Sequence, residues 1–185
     1  MIKATGSGLE REIEARCGER VRLCFQCGKC STGCLFTPAM DLLPHQAMKL
    51  VQLGEEERLL SSRTIWICAS CVTCTARCPN DIDVAGVIDA LRQMALEKGV
   101  RPAERNVPLF HFCFLGNIRA TGRISEPVLM GAYKALSGDL FSDIGLAVEM
   151  LRKGKIKLVP SLVRGRREIR RIFSESGGKG AVGKG

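Results

Sequence analysis

Cys24-Phe25-Gln26-Cys27-Gly28-Lys29-Cys30-Ser31-Thr32-Gly33-Cys34 is answered further along the chain by Cys68-Ala69-Ser70-Cys71-Val72-Thr73-Cys74-Thr75-Ala76-Arg77-Cys78, with Pro79 directly after it. Eight of the ten cysteines thus fall into two copies of one spacing, C-x2-C-x2-C-x3-C. A structural zinc ribbon closes with two C-x2-C pairs, and the third cysteine of each run here excludes that reading. Three thiolates at i, i+3 and i+6 let one short loop wrap three corners of an iron–sulfur cube, so the fourth corner is capped from elsewhere. The duplicated run is the ligand pattern of two [4Fe–4S] clusters, in which the fourth cysteine of each run crosses to the other cluster. On that rule Cys24, Cys27, Cys30 and Cys78 belong to one cluster, and Cys68, Cys71, Cys74 and Cys34 to the other.

A chain of 185 residues can bury a core of its own, so the clusters brace a fold that they need not create. Ten cysteines in a secreted protein would read as disulfides, but the start, Met1-Ile2-Lys3-Ala4-Thr5, has no basic and apolar leader. The expectation is reduced thiols in a cytoplasm. The most apolar stretch, Val107 to Leu115, is interrupted by Pro108 and His111 and is too short to cross a bilayer. The formal charge of +9 is local: residues 1–150 carry 17 basic and 17 acidic side chains, and residues 151–185 carry 11 against 2. An oxidised cube with its four thiolates carries about −2, which brings the loaded protein to about +5.

Outward from the cysteine runs the pattern is helical. Ser7-Gly8-Leu9-Glu10 has capping-box spacing and opens a short helix with Leu9, Ile13 and Cys17 to one side, stopped by Gly18. Gly28, Ser31, Thr32 and Gly33 are small enough for backbone N–H groups to approach a cluster. Pro44 to Leu53 reads as a helix stopped by Gly54, followed by a solvated polar patch, Glu55 to Arg58. Thr64-Ile65-Trp66-Ile67 is an apolar lead that shields the second loop from water. Asp83 is the N-cap of a helix through Val84, Val87, Ile88, Leu91 and Ala95, ending at Gly99. Four more helices are expected over Pro108–Arg119, Pro127–Leu136, Ser142–Arg152 and Arg164–Phe173. The fold class is therefore all-α. A helical ferredoxin domain over 1–100 is followed by a helical extension over 101–176, expected to pack on it and on partner subunits, and a flexible tail over 177–185.

Other candidates have plainer readings. Gly178-x4-Gly183-Lys184 resembles a phosphate loop but has Gly185 where Ser or Thr is needed, and Gly6-x-Gly8 lacks a third glycine. Cys17 and Cys113 read as small apolar fillers, and His45 and His111 as core or interface packing. Lys29 and Arg77 lie inside the cluster loops, where a cation beside an anionic cube favours its reduced form. The basic segment 152–171 would attract phosphates, but 5% aromatic content offers few stacking platforms, so no nucleic-acid partner is expected. No Ser/His/Asp set, carboxylate pair or Cys-Cys-Gly sequence provides a substrate site.

The first run, with Pro38, Asp41, Pro44 and Val51-Gln52-Leu53-Gly54 after it, and the second run from Ile67 to Pro79 resemble the iron–sulfur C subunit of the soluble heterodisulfide reductases of methanogenic archaea. The likeness covers residues 9 to 100 in motif detail. The runs alone also resemble the helical ferredoxin modules of succinate and glycerol-3-phosphate dehydrogenases. Leu35 departs from the Pro that many such domains carry there; it leaves the ligands intact. The resemblance implies a non-catalytic relay subunit. It would carry electrons from a flavin-bearing A-type subunit, fed indirectly by a hydrogenase or formate dehydrogenase, to a B-type subunit whose Cys-Cys-Gly clusters cleave the coenzyme M–coenzyme B heterodisulfide. In that family the flavin-bearing member bifurcates electrons to ferredoxin. The alternative is the same relay in a heterodisulfide-reductase-like sulfur-oxidising system or another dehydrogenase complex.

Overall fold

A computed structural model describes residues 8–139, 144–154, 163 and 165–175. All regular elements among them are helical, as the apolar spacing predicts. The chain divides into two compact units, 1–104 and 105–185.

In the first unit, α1 (Gly8–Cys17) is followed by a 3-10 turn at Val21–Leu23, the first cysteine run with the one-turn helix α2 (Lys29–Thr32), and α3 (Pro44–Leu53). The order then repeats: α4 (Glu56–Leu60), α5 (Thr64–Ile67), the second run with α6 (Thr73–Ala76), and α7 (Val84–Glu97). The packing repeats as well. α1 and α4 each lie against both α3 and α7, while α2 meets α6. The unit is thus two similar halves facing each other across a core of Ile13, Val21, Met48, Val51, Leu59, Ile65, Val87, Leu91 and Met94, all fully buried.

The local signals account for most helix ends. Gly18, Gly54 and Gly99 take positive φ values of 78°, 78° and 65°, conformations that only glycine adopts at little cost, and each ends a helix. Asp83 caps α7 by accepting the Gly86 N–H at 3.0 Å. The Ser7 end of the expected capping box, the Ser142 and Arg164 starts and the 177–185 tail lie outside the described residues.

The polar patch Glu55 to Arg58 faces solvent as expected, and it also opens a helix the sequence reading did not assign: Glu56 and Glu57 form the first turn of α4, where acidic side chains suit the helix dipole. Leu59 and Leu60 then insert into the core, at 0% and 2% exposure. Burial of two such side chains is worth about 1.5–3 kcal/mol each, which outweighs the poor local pattern.

In the second unit, α8 (Asn106–Thr121) and α9 (Glu126–Ser137) form a hairpin, followed by α10 (Ile144–Arg152) and α11 (Arg166–Glu175). The hairpin turn is held by Asn117, whose amide donates to the Ser125 carbonyl at 2.8 Å and accepts the Ser125 N–H at 3.1 Å. Gly122, with φ 85°, closes α8. A side chain there would meet Val163 at 3.2 Å and Arg166 at 3.3 Å, so glycine lets α11 pack against α8. His111 is exposed, which rules out the core half of the core or interface packing expected for it.

Candidate iron–sulfur centre

Both cysteine runs take the same backbone path. Gln26 and Gly28 in the first run have φ values of 57° and 75°; Ser70 and Val72, the equivalent residues of the second, have 51° and 62°. Glycine adopts this conformation freely, but for a β-branched residue such as Val72 it is strained. Gly28 and Val72 are each followed by a helical residue, the arrangement that turns successive N–H groups toward an anion. The structure thus holds the second loop to the shape of the first at a cost in backbone energy.

The eight motif cysteines gather in two places. One cavity is lined by Cys24, Cys27, Cys30 and Cys78, with Phe25, Pro79, Ile82 and Val84 around them. A second is lined by Cys34, Cys68, Cys71 and Cys74, with Phe36, Met40, Pro44 and Ile88. Each therefore takes three thiols from one run and the last from the other. Ile65 and Trp66 of the apolar lead are buried in α5, and Thr64 lines the second cavity. Among the described residues no three His, Cys, Asp or Glu side chains converge tightly enough to hold one metal ion. All ten cysteines are free thiols. Four thiols spread around an apolar cavity are the donor set that a cubane cluster takes, so the residues present fit such a group.

The electrostatics of the thiols follow from their positions. Burial pushes the Cys30 thiol up; Ser31 opposes this by hydrogen bonding, and Cys24 and Cys74 add like charge. Burial also raises Cys74, opposed by hydrogen bonds from Thr75 and reinforced by Cys68. Cys71, exposed, is held below its ordinary value by the hydroxyl and N–H of Thr73. Burial and like charge both work against the thiolates of Cys30 and Cys74, so a cation bound among them displaces protons.

The supports of the two loops correspond side chain by side chain. The Ser31 hydroxyl accepts the His45 N–H at 3.1 Å and pairs with His45 Nδ1 at 2.7 Å. Its counterpart Thr75 accepts the Ala85 N–H at 3.4 Å and donates to Asp83 at 2.6 Å. Both hydroxyls tie a cysteine-bearing turn to the first turn of the helix that follows. Gln52 donates to the carbonyls of Val21 and Cys24 at 3.0 and 3.4 Å, and Arg92 to those of Ile65 and Cys68 at 2.8 and 2.7 Å. Asp41 accepts the Arg63 and Thr64 N–H groups at 2.8 and 2.9 Å, capping α5. Burial pushes its carboxyl up, and these bonds with the Thr64 hydroxyl outweigh it, so it lies below the ordinary range. Arg92 escaped the sequence reading, having no signal beyond a lone cation on an amphipathic helix.

None of the remaining candidates in the first unit lines these cavities. Cys17 Sγ donates to the Ile13 carbonyl at 3.2 Å, and Cys113 is buried on α8. Lys29 is exposed; Arg77, also exposed, lies across Gly33, beside Cys34. His45 is half-buried against Ser31.

Fold and cysteine set define a two-cluster iron–sulfur domain of the helical ferredoxin class, and residues 23–83 match the 4Fe–4S dicluster domain family. Within that class, the cluster-bearing unit is similar to heterodisulfide reductase iron–sulfur C subunits. It is similar to the C subunit of the H2:CoB–CoM heterodisulfide, ferredoxin reductase of Methanothermobacter marburgensis, at 29% identity over 54% of this chain and 54% of the relative. The iron–sulfur C subunit of the CoB–CoM heterodisulfide reductase of Methanopyrus kandleri is 32% identical over 49% of this chain and 47% of the relative. A heterodisulfide reductase C-subunit-like protein of Archaeoglobus profundus is 31% identical over 48% of this chain and 52% of the relative. The chain spans about half the length of these curated relatives. Among the described residues no helix is long and apolar enough to cross a membrane.

Proposed function

We propose that this chain is the electron-transfer subunit of a heterodisulfide reductase complex. It relays electrons from a flavin-bearing A-type subunit to a catalytic B-type subunit, which reduces the coenzyme M–coenzyme B heterodisulfide. In this reading Cys24, Cys27, Cys30 and Cys78 hold one [4Fe–4S] cluster, and Cys68, Cys71, Cys74 and Cys34 hold the other. The single observation that carries it is the grouping of these thiols around two separate cavities. When bound, the clusters supply one-electron redox chemistry.

The chain's own residues contribute enclosure and support. Phe25, Pro79 and Ile82 on one side and Phe36, Met40 and Ile88 on the other limit water at the thiols. Ser31, Thr75, Gln52 and Arg92 fix the loops from the neighbouring helices. With eight cysteines used as ligands, Cys17 bonded to the Ile13 carbonyl and Cys113 buried on α8, disulfide chemistry falls to a partner subunit. The second unit exposes Phe112, Leu115, Met130 and Leu136, and its α11 carries Arg167 and Arg170 outward. Such a surface suits docking to partner subunits.

The likeness to a heterodisulfide reductase C-subunit-like protein supports one second reading: the same relay in a heterodisulfide-reductase-like sulfur-oxidising or other dehydrogenase complex. The test is heterodisulfide-dependent reoxidation of a reduced viologen dye by purified subunits. This chain alone gives no turnover and raises turnover when combined with its cognate catalytic and flavin-bearing subunits. Sustained turnover by this chain alone contradicts the relay role.

A further inference from the structure

The two halves of the first unit place equivalent side chains on equivalent carbonyls, and at one place the chemistry differs. Val21 stands to Cys24 as Ile65 stands to Cys68. On α3 the neutral amide of Gln52 donates to the first pair, at 3.0 and 3.4 Å. On α7 the guanidinium of Arg92 donates to the second pair, at 2.8 and 2.7 Å. One cysteine run therefore starts beside a dipole and the other beside a full positive charge.

That charge is fixed and shielded from water. The Arg92 side chain is only 12% exposed, and its ionic partner Asp89, 3.3 Å away, is 47% exposed. A half-solvated carboxylate is screened, while a guanidinium buried against the Cys68 backbone acts through a lower dielectric. Arginine also stays protonated at every relevant pH. The cations within the runs do not offset the difference. Lys29 is exposed beside Cys30, and Arg77 is exposed where the runs meet, next to one cysteine of each set.

We propose that Arg92 makes the site of Cys34, Cys68, Cys71 and Cys74 the higher-potential member of the pair, so that an electron shared between the two sites rests there. A cation stabilises the added negative charge of the reduced state. The step is a one-electron exchange in which one cluster is oxidised as the other is reduced, and no bond or proton moves. Arg92 acts through the Cys68 backbone and through its charge, so it is a positioning residue. The inference rests on the ligand sets proposed above.

The experiment is a redox titration of the loaded full chain, followed by electron paramagnetic resonance at constant ionic strength. Iron content, about eight per chain for two cubes, and the signals altered in C27S and C71S are read first. Iron for one cube only, or the same signal altered in both variants, overturns the ligand sets and not merely the potential order. With the sets standing, the upper step is expected to belong to the signal altered by C71S. In R92Q, which gives α7 the amide that α3 carries, the reduced-to-oxidised ratio of that signal at fixed potential falls about tenfold, equivalent to about 59 mV. R92K retains most of the wild-type value, and the lower step stays in place in both variants. An unmoved upper step in R92Q overturns the proposal. A wild-type order with the C71S signal at the lower potential also overturns it, even where R92Q fails to load.

Discussion

The Thr75 hydroxyl donates to the Asp83 carboxylate at 2.6 Å, joining the turn that carries Cys74 to the N-terminus of α7. Asp83 also accepts the Gly86 N–H, so one side chain caps the longest helix of the unit and braces a cysteine loop.

Removing it in D83A takes away an N-cap and leaves Thr75 without its acceptor. The expected cost is about 1–2 kcal/mol, read as a lowered thermal midpoint of the loaded protein. Hydrogen bonds from Thr75 and Gly86 hold the Asp83 carboxyl below the ordinary carboxylate range. A depressed carboxylate contributes in full above its unfolded value, near 3.9, and loses the contribution only as pH falls through the folded one. The difference between D83A and wild type is therefore the same at about pH 8 and about pH 5.5.

Val72 at φ 62° and Gly28 at φ 75° occupy equivalent places, and the side chain of Val72 is half exposed. Replacing valine in V72G relieves a strain of about 1–2 kcal/mol, less about 0.5–1 for the freedom glycine gains when unfolded. V72G is thus neutral to about 1.5 kcal/mol more stable. The reverse change, G28A, costs about 1 kcal/mol through φ alone, since nothing lies within 4 Å of the new methyl group. G33A costs only a few tenths: Gly33 has φ −94°, and the atoms in the way belong to the exposed end of Arg77. Thermal unfolding of the three loaded variants ranks them, and a stabilising G28A would contradict the backbone argument.

The basic helix α11 turns Arg167 and Arg170 outward. Charge reversal in R167E/R170E leaves the iron content unchanged and weakens retention of partner subunits, and the wild-type interaction itself weakens with salt. Truncation after Pro160 has the same two effects. Co-purification that is unchanged by both alterations at moderate salt contradicts a docking role for this helix.

Much of this arrangement is legible before any coordinate. Helices α3 and α7 lie where glycine stops, Pro44 and the Asp83 cap put them, because these signals act within one turn. α4 was hidden because its first residues are acidic and its two core leucines are adjacent, which no periodicity marks. The strain at Val72 shows only when the runs are aligned residue for residue, against Gly28. Arg92 and Gln52 have no local signature at all, since their partners lie on backbone more than a helix away in sequence. Their roles come from the way the two halves pack.

The central claim is that each cluster takes its fourth ligand from the other run. Electron paramagnetic resonance of loaded C34A and C78A tests it most directly, with the signals assigned through C71S and C27S. The account predicts that C34A disturbs the signal assigned to Cys68, Cys71 and Cys74, while C78A disturbs that of Cys24, Cys27 and Cys30. Damage in each variant confined to the cluster of its own run would contradict it.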